Sequence, residues 1–279
     1  LDPGSKRTGI SICTETKSII HIQANTPEWV KSHIQQRLIM RRARRARNTP
    51  YRKCKSNRVI GGIPPSTKAR WDAHLRIMKQ LLKILPISIV SVEDIQAKTK
   101  TGQKKWNKSF SPIEVGKKYF YNYVEKVLKL KLYLFQGYDT YSHRKLYGYE
   151  KTSDKLSEKF EAHCVDSFSL CEMVDGGQLK LSSTKIYHLT FLEFHRRQLH
   201  VLVPAKNGIR KTYGGTRSLG LTRGTLVKHH KKYGLSYVGG SMNDRISLHN
   251  TNTKQRLCQN AKAEESKIIT NQSYIINLK

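Results

Sequence analysis

Asp2, Glu93 and Asp166 stand where a basic chain would least be expected to place acids, among 52 Lys and Arg against 20 Asp and Glu, a formal net charge of +32. Carboxylates isolated in that much positive charge are candidate metal ligands. Three of them suit hard cations, because Mg²⁺ prefers carboxylate oxygens and keeps several waters. Two such ions, about 3.5–4 Å apart, stabilise both the attacking and the leaving oxygen of an in-line phosphodiester displacement. Mn²⁺ would substitute on the same ligands. His163, three residues before Asp166, is suited to orient or deprotonate the water. Taken singly each residue is ordinary: an Asp in a turn is usually a turn former, and a His in an apolar helix is usually a core residue. Their order along the chain and their surroundings raise the chemical reading.

The elements that must position them follow from local pattern. Leu1-Asp2-Pro3-Gly4 reads as the end of a strand and a Gly turn, with a return strand through Ile10, Ile12 and Cys13. Ile87 to Val92 is a short β-rich run after Pro86 that ends in Glu93-Asp94, with Asp94 the reserve ligand. Phe160 to Phe168 reads as a helix, and the i,i+3 spacing puts His163 and Asp166 on one face. Between them, after a Lys-rich loop from Lys98 to Lys108, the pattern gives a helix around Tyr119–Leu128, a strand around Leu130–Phe135 and a short helix near Tyr141–Tyr147.

No acid occurs between Glu28 and Asp72, while Arg37, Arg41, Arg42, Arg44, Arg45, Arg47, Arg52, Lys53, Lys55 and Arg58 crowd the middle. On a helix, the arginines from Arg37 to Arg47 spread over roughly 220°, too wide for one solvated face. Such a helix is expected to touch polyanion on several sides, and Arg pairs bidentately with phosphate. Trp29, Val30, Ile34, Leu38, Ile39 and Met40 are expected to anchor its first half.

With these residues in order, the chain resembles the split RuvC nuclease domain, with its bridge helix, of the IscB and IsrB proteins. These are transposon-encoded, RNA-guided relatives of the type II CRISPR effector nucleases. Arg41-Arg42-Ala43-Arg44-Arg45 looks like their RRxRR signature, and His163-Cys164-Val165-Asp166 like their last catalytic segment. The resemblance implies an α/β, ribonuclease H-like (RuvC) core split by an Arg-rich bridge helix and followed by a small β-rich C-terminal domain. It also implies a guide (omega) RNA, a double-stranded DNA target, a monomeric ribonucleoprotein and Mg²⁺-dependent cutting. Asp2, Glu93 and Asp166 would be the metal ligands and His163 the water-activating residue. IscB carries an inserted HNH domain, which needs a catalytic and a metal-binding His; between Glu93 and His163 the sequence has His143 alone. The chain therefore resembles IsrB, the HNH-less branch, which implies nicking of the displaced, non-target strand.

The same reading divides the chain into RuvC segment I (1–24), bridge helix (25–60), RuvC segment II with its basic loop (61–112), RuvC segment III (113–175) and a nucleic-acid-binding β-rich domain (176–279). Residues 176–279 carry 18 Lys and Arg against four acids, so basic charge is not confined to a tail. Short strands are expected at Leu189–Phe191, Leu199–Val203, Gly224–Lys228, Leu235–Gly240 and Arg245–His249. Arg210, Lys211, Tyr213 and Arg217 interleave cations with an aromatic, which suits phosphate contact and base stacking. His229 and His230 read as surface or phosphate contacts. Five cysteines without a Cys-x-x-Cys pair indicate no zinc ribbon, which counts against the TnpB family, and their odd number and scattered spacing argue against a disulfide framework; Cys164 and Cys171 read as core residues. No apolar run is long enough to span a membrane and no signal peptide is evident. Bacterial cytoplasm, close to the nucleoid, is the expected compartment, or an organelle for a plastid-encoded copy. IscB and IsrB proteins carry a small domain before the first catalytic strand, so the chain reads as a fragment with Asp2 near its edge. A ribosomal or histone-like protein would share the charge but have no use for the three acids; an inactive RNA-binding protein or transposon accessory factor is the competing reading.

Overall fold

A computed structural model of the chain describes residues 1–46, 62–96, 111–154, 156–191, 202–203, 208–209, 217–219, 221–242, 244–271 and 274–278. It is mixed α/β and forms two compact units, Leu1–Thr190 with Ile276–Lys279, and Phe191–Ile275.

In the first unit, β1 (Arg7–Cys13) and β2 (Ser18–Asn25) form an antiparallel hairpin in the register Ile10↔Ile22. Thr14 closes the turn by accepting from the Lys17 amide at 3.2 Å. β3 (Ile89–Glu93) and β4 (Lys131–Phe135) pair in parallel, Glu93 opposite Phe135. A parallel pair needs a long crossover. The described part of that crossover is α3 (Pro112–Asn122), which runs on through a π-helical turn, Tyr123–Val127. Its start is fixed chemically: Ser111 caps the Glu114 amide at 3.2 Å and Pro112 occupies the first turn. Leu1 and Asp2 stitch the two ladders together. The Leu1 ammonium donates to the Ser91 carbonyl at 2.8 Å and its carbonyl accepts from Glu93 at 3.1 Å, while Asp2 and Gly9 exchange both backbone bonds at 2.9 and 3.1 Å.

α4 (Gly137–Leu146) follows β4 directly, started by a capping box between Gln136 and Asp139. α5 (Phe160–Asp175) ends at Gly176, whose φ of 77° supplies the left-handed cap that a side chain would resist. α5 is buried on most sides. Phe160, Cys164, Val165 and Phe168 pack with Leu179 and Ile186, while Ser167 of α5 joins a polar seam to the hairpin. There Ser11 meets His21 Nδ1 at 2.8 Å and Ser167 at 2.7 Å; burial holds the His21 pKa down at about 4, so it stays neutral in that seam. α2 (Pro65–Leu81) adds an element that the sequence analysis leaves unassigned, with Trp71, Leu75 and Met78 on its buried face at helical spacing. Trp71 lies 5.0 Å from Phe120 of α3, ring centre to ring centre.

The Arg-rich helix is present as α1 (Trp29–Ala46). Its expected anchor holds only in part. Trp29, Val30 and Ile34 are half-buried, but Leu38, Ile39 and Met40 are exposed, because three consecutive residues span some 200° of a helix and cannot share one packed face. The boundary at 176 also moves. β5 (Tyr187–Phe191) pairs parallel to β2, Ala24 opposite Leu189, so the chain up to Thr190 belongs with the first unit.

The second unit contains two short ladders, β6 (Leu202–Val203) with β7 (Gly208–Ile209) and β8 (Arg217–Ser218) with β9 (Leu221–Thr222). Its main sheet is antiparallel, built from β10 (Leu226–His229), β11 (Gly234–Met242), β12 (Arg245–Asn250), β13 (Arg256–Lys262) and β14 (Ser266–Thr270) in the order β13-β12-β11-β10-β14. Val227, Val238, Ile246 and Leu248 form its apolar core. His229 corrects its expectation: it is buried, its ring near Tyr233 and 3.4 Å from Glu265. The C-terminal strand β15 (Tyr274–Leu278) stands last in the sheet order β1-β2-β5-β15. Among the described residues no helix is long and apolar enough to cross a membrane.

Phe168 is fully buried at the centre of the α5 core and Tyr138 is 76% exposed on α4. Phe168→Ala should lower stability by about 3–5 kcal/mol and Tyr138→Ala by no more than about 0.5 kcal/mol, read as shifts of the urea midpoint at unchanged slope.

Candidate active site

The three acids are delivered by three elements. Asp2 is held by the Leu1–Asp2 stitch, Glu93 ends β3, and Asp166 projects from the second turn of α5. Each offers a carboxylate oxygen that lies within 4.8 Å of the other two, with Asp2 and Asp166 buried and Glu93 half-buried. His163 Nδ1 stands 3.9 Å from an Asp2 oxygen. The sequence separates Asp2 from Asp166 by 164 positions, and glycine makes their meeting feasible. A Cβ on Gly9, opposite Asp2, would lie 2.0 Å from the His163 carbonyl, so β1 rests directly on the α5 backbone. A Cβ on Gly137 would lie 2.6 Å from Glu93 Oε1, so the first turn of α4 walls in that carboxylate.

Acids this close cannot all carry charge at ordinary pH. Burial, reinforced by the neighbouring Asp2 charge, pushes Glu93 up to about 8. Asp2 goes the other way: burial would raise it, but His163, the proton on Glu93 and the Lys151 charge hold it below the usual carboxylate range. Burial and Asp2 raise Asp166, against the pull of Lys151 and Arg144. The metal-free cluster is therefore a charged Asp2 beside a protonated Glu93, with Asp166 matched by cations. Arg144 Nε lies 2.6 Å from Asp166 Oδ1 and the Lys151 ammonium is paired with Asp166 Oδ2. Arg144 and Lys151 carried no signal in a sequence with 52 Lys and Arg; only the fold distinguishes them.

The reserve ligand is engaged elsewhere. Asp94 accepts from Lys117 at 2.8 Å and from Tyr121 at 2.9 Å, with Gln136 at 3.4 Å, and so ties the end of β3 to α3 and to the start of α4. Burial is outweighed by these donors, which keep its carboxyl below the usual range. His143, on α4, lies 4.7 Å from Tyr147, ring centre to ring centre with the planes tilted by 45°, and 3.7 Å from Glu172 of α5.

The expected nucleic-acid contacts divide by location. Arg37, Arg41 and Arg42 are exposed on α1, which also carries Arg44 and Arg45 in its helical backbone. Arg217 lies in β8. Arg47, Arg52, Lys53, Arg58, Arg210, Lys211 and Tyr213 lie outside the described residues.

Residues 1–109 match the family model described as RRXRR protein, a span that holds Asp2, Glu93 and the Arg-rich helix. A comparison with curated proteins finds no match.

Two outcomes follow from the cluster. Glu93 binds its proton in the folded chain up to about 8 but only to 4.5 ordinarily, so between these values the folded state holds more protons and stability falls as pH rises. Urea unfolding in EDTA should show that decline between about pH 5 and pH 8, and Glu93→Gln should flatten it. Gly9→Ala should cost about 3 kcal/mol by forcing β1 off α5, measured by the same unfolding; a shift of a few tenths would mean that the helix backbone yields.

Proposed function

We propose that the chain is an RNA-guided DNA endonuclease of the IsrB kind, a nickase that hydrolyses one strand at a RuvC-type site. The observation that carries this reading is the convergence of Asp2, Glu93 and Asp166, three oxygens within 4.8 Å, in a chain of net charge +32. The RRXRR match over residues 1–109 supports the family side of it. So does the strand arrangement: an antiparallel hairpin stitched through Leu1–Asp2 to a parallel pair, with α5 against the hairpin, is the layout that a ribonuclease H-like core requires.

The donor set fits Mg²⁺ or Mn²⁺. Oxygen is the ligand atom throughout, the acids lie at strand ends and on a helix with Asp2 and Asp166 buried and Glu93 half-buried, and neutralising their mutual repulsion is the task a divalent cation performs. Asp2, Glu93 and Asp166 would hold the ions, which supply charge for the attacking and leaving oxygens of the phosphodiester. Glu93 gives up its proton to become a ligand. Asp2 needs no such change. His163, beside Asp2, orients the water and accepts its proton as the new phosphorus–oxygen bond forms and the bond to the leaving oxygen breaks, that oxygen taking a proton from solvent. The exposed arginines of α1 would hold phosphates of the guide RNA and target DNA. The cut would fall on the displaced strand, since no second nuclease motif is read in the sequence.

The test is a nicking assay on supercoiled plasmid with randomised flanks, using RNA transcribed from the DNA beside the gene. Open-circle product should require Mg²⁺, the RNA and Asp166, and disappear with EDTA or Asp166→Ala. His163→Ala should slow it by roughly 10²–10⁴-fold. Tight RNA binding with no nick would instead establish an RNA-binding protein without nuclease activity.

A further inference from the structure

Lys151 is set against the acid cluster by anchors on both sides of it. Tyr149 donates its hydroxyl to Glu172 at 2.8 Å, and the Thr152 amide donates to the Glu161 carbonyl at 3.1 Å, so the segment is strapped along α5 on either side of Lys151. Further on, the Ser157 carbonyl accepts from Arg7 at 2.9 Å and from Gln23 at 3.0 Å. The strap aims the ammonium at Asp166 Oδ2, and its charge acts on Asp2 and Glu93 as well.

The two cations on Asp166 differ in kind. Arg144 comes from a helix, with its side chain 13% exposed; Lys151 comes from irregular chain, with its side chain 38% exposed over an aspartate that is 3% exposed. A lysine ammonium is a hydrated point charge on a flexible stem, whereas a guanidinium is rigid and held by its geometry. Moving Lys151 off Asp166 leaves it in solvent at the rim. Moving Arg144 would bury an unpaired charge. A divalent ion needs an oxygen of Asp166, and both are already matched to a cation, so Lys151 is the group that yields.

We propose that Lys151 is an exchangeable counter-cation that pairs with Asp166 while the cluster lacks metal, and trades it for a phosphate oxygen of the nucleic acid once a divalent ion has taken its place. This rests on the metal-centre reading above and adds a residue to it. Lys151 thus screens the acids from one another in the metal-free chain and arrives as a phosphate contact without leaving the site.

Mn²⁺ binding to the full chain, without nucleic acid, tests the exchange. Calorimetry should give Lys151→Met a Mn²⁺ affinity about tenfold above that of the unaltered chain, since the competitor is gone, and Mn²⁺ should raise its unfolding temperature by more. Lys151→Arg, which keeps the competitor, should bind Mn²⁺ no tighter than the unaltered chain; Lys151→Gln, a milder change, repeats the measurement if Lys151→Met does not fold. Unchanged or weaker Mn²⁺ binding in Lys151→Met would overturn the exchange and make Lys151 a structural tie. Nicking at saturating Mn²⁺ should fall about tenfold in Lys151→Met and persist in Lys151→Arg; full nicking by Lys151→Met would overturn the phosphate contact. If Mn²⁺ binding is absent, or survives Asp166→Asn, the metal-centre reading itself falls, a result separate from either.

Discussion

Mutual repulsion among Asp2, Glu93 and Asp166 is the constraint to which the rest of the first unit responds. Three carboxylates with oxygens within 4.8 Å would drive apart the strands and helix that carry them unless the fold supplied compensation. It does so in three ways: a proton retained on Glu93, cations from Arg144 and Lys151 on Asp166, and tight backbone contact between β1 and α5 at Gly9 that leaves little room to relax. Closely packed interiors resist small displacements, so the acids are held at a separation that solvent alone would not maintain.

The supporting shell is built with the same economy. α5 presents Asp166 to the cluster and, six residues later, Glu172 to Tyr149 and the Leu179 amide. α4 answers with consecutive residues, His143 toward Glu172 and Arg144 toward Asp166. β3 ends in two acids with separate tasks: Glu93 enters the cluster while Asp94 binds Lys117 and Tyr121. One helix pair and one strand end thereby fix both the position of the cluster and the elements around it. Leu1 and Asp2 join the two ladders of this frame through four backbone hydrogen bonds.

How much of this could be read in the sequence follows from rarity. Acids are scarce in this chain, so Asp2, Glu93 and Asp166 stood out, and their meeting was anticipated from two strand ends and a helix face. Cations are abundant, so Lys151 and Arg144 looked like any others until the fold brought them to Asp166. Local pattern placed β3, β4, α4 and α5 well because short apolar runs and caps encode them. It did not tell which sheet a strand joins: Leu189–Phe191 has the composition of its neighbours in sequence but pairs with Ala24 far upstream. It also overstated the packing of α1, since apolar residues in a row say nothing about whether a partner surface exists for each. Glu93 and Asp94 were separable only by their partners, which are long-range.

A formal net charge of +32 sets up a field that opposes the approach of small cations to the acids. At physiological ionic strength that field fades over about 8 Å, but a buried site has no shorter approach. A polyanion laid along the basic surface would reverse the situation, since nucleic acid carries its own condensed atmosphere of counterions. Nucleic acid lying there would raise the local concentration of divalent ions, so that the acids would load at a lower free-ion concentration with that surface occupied than with it bare.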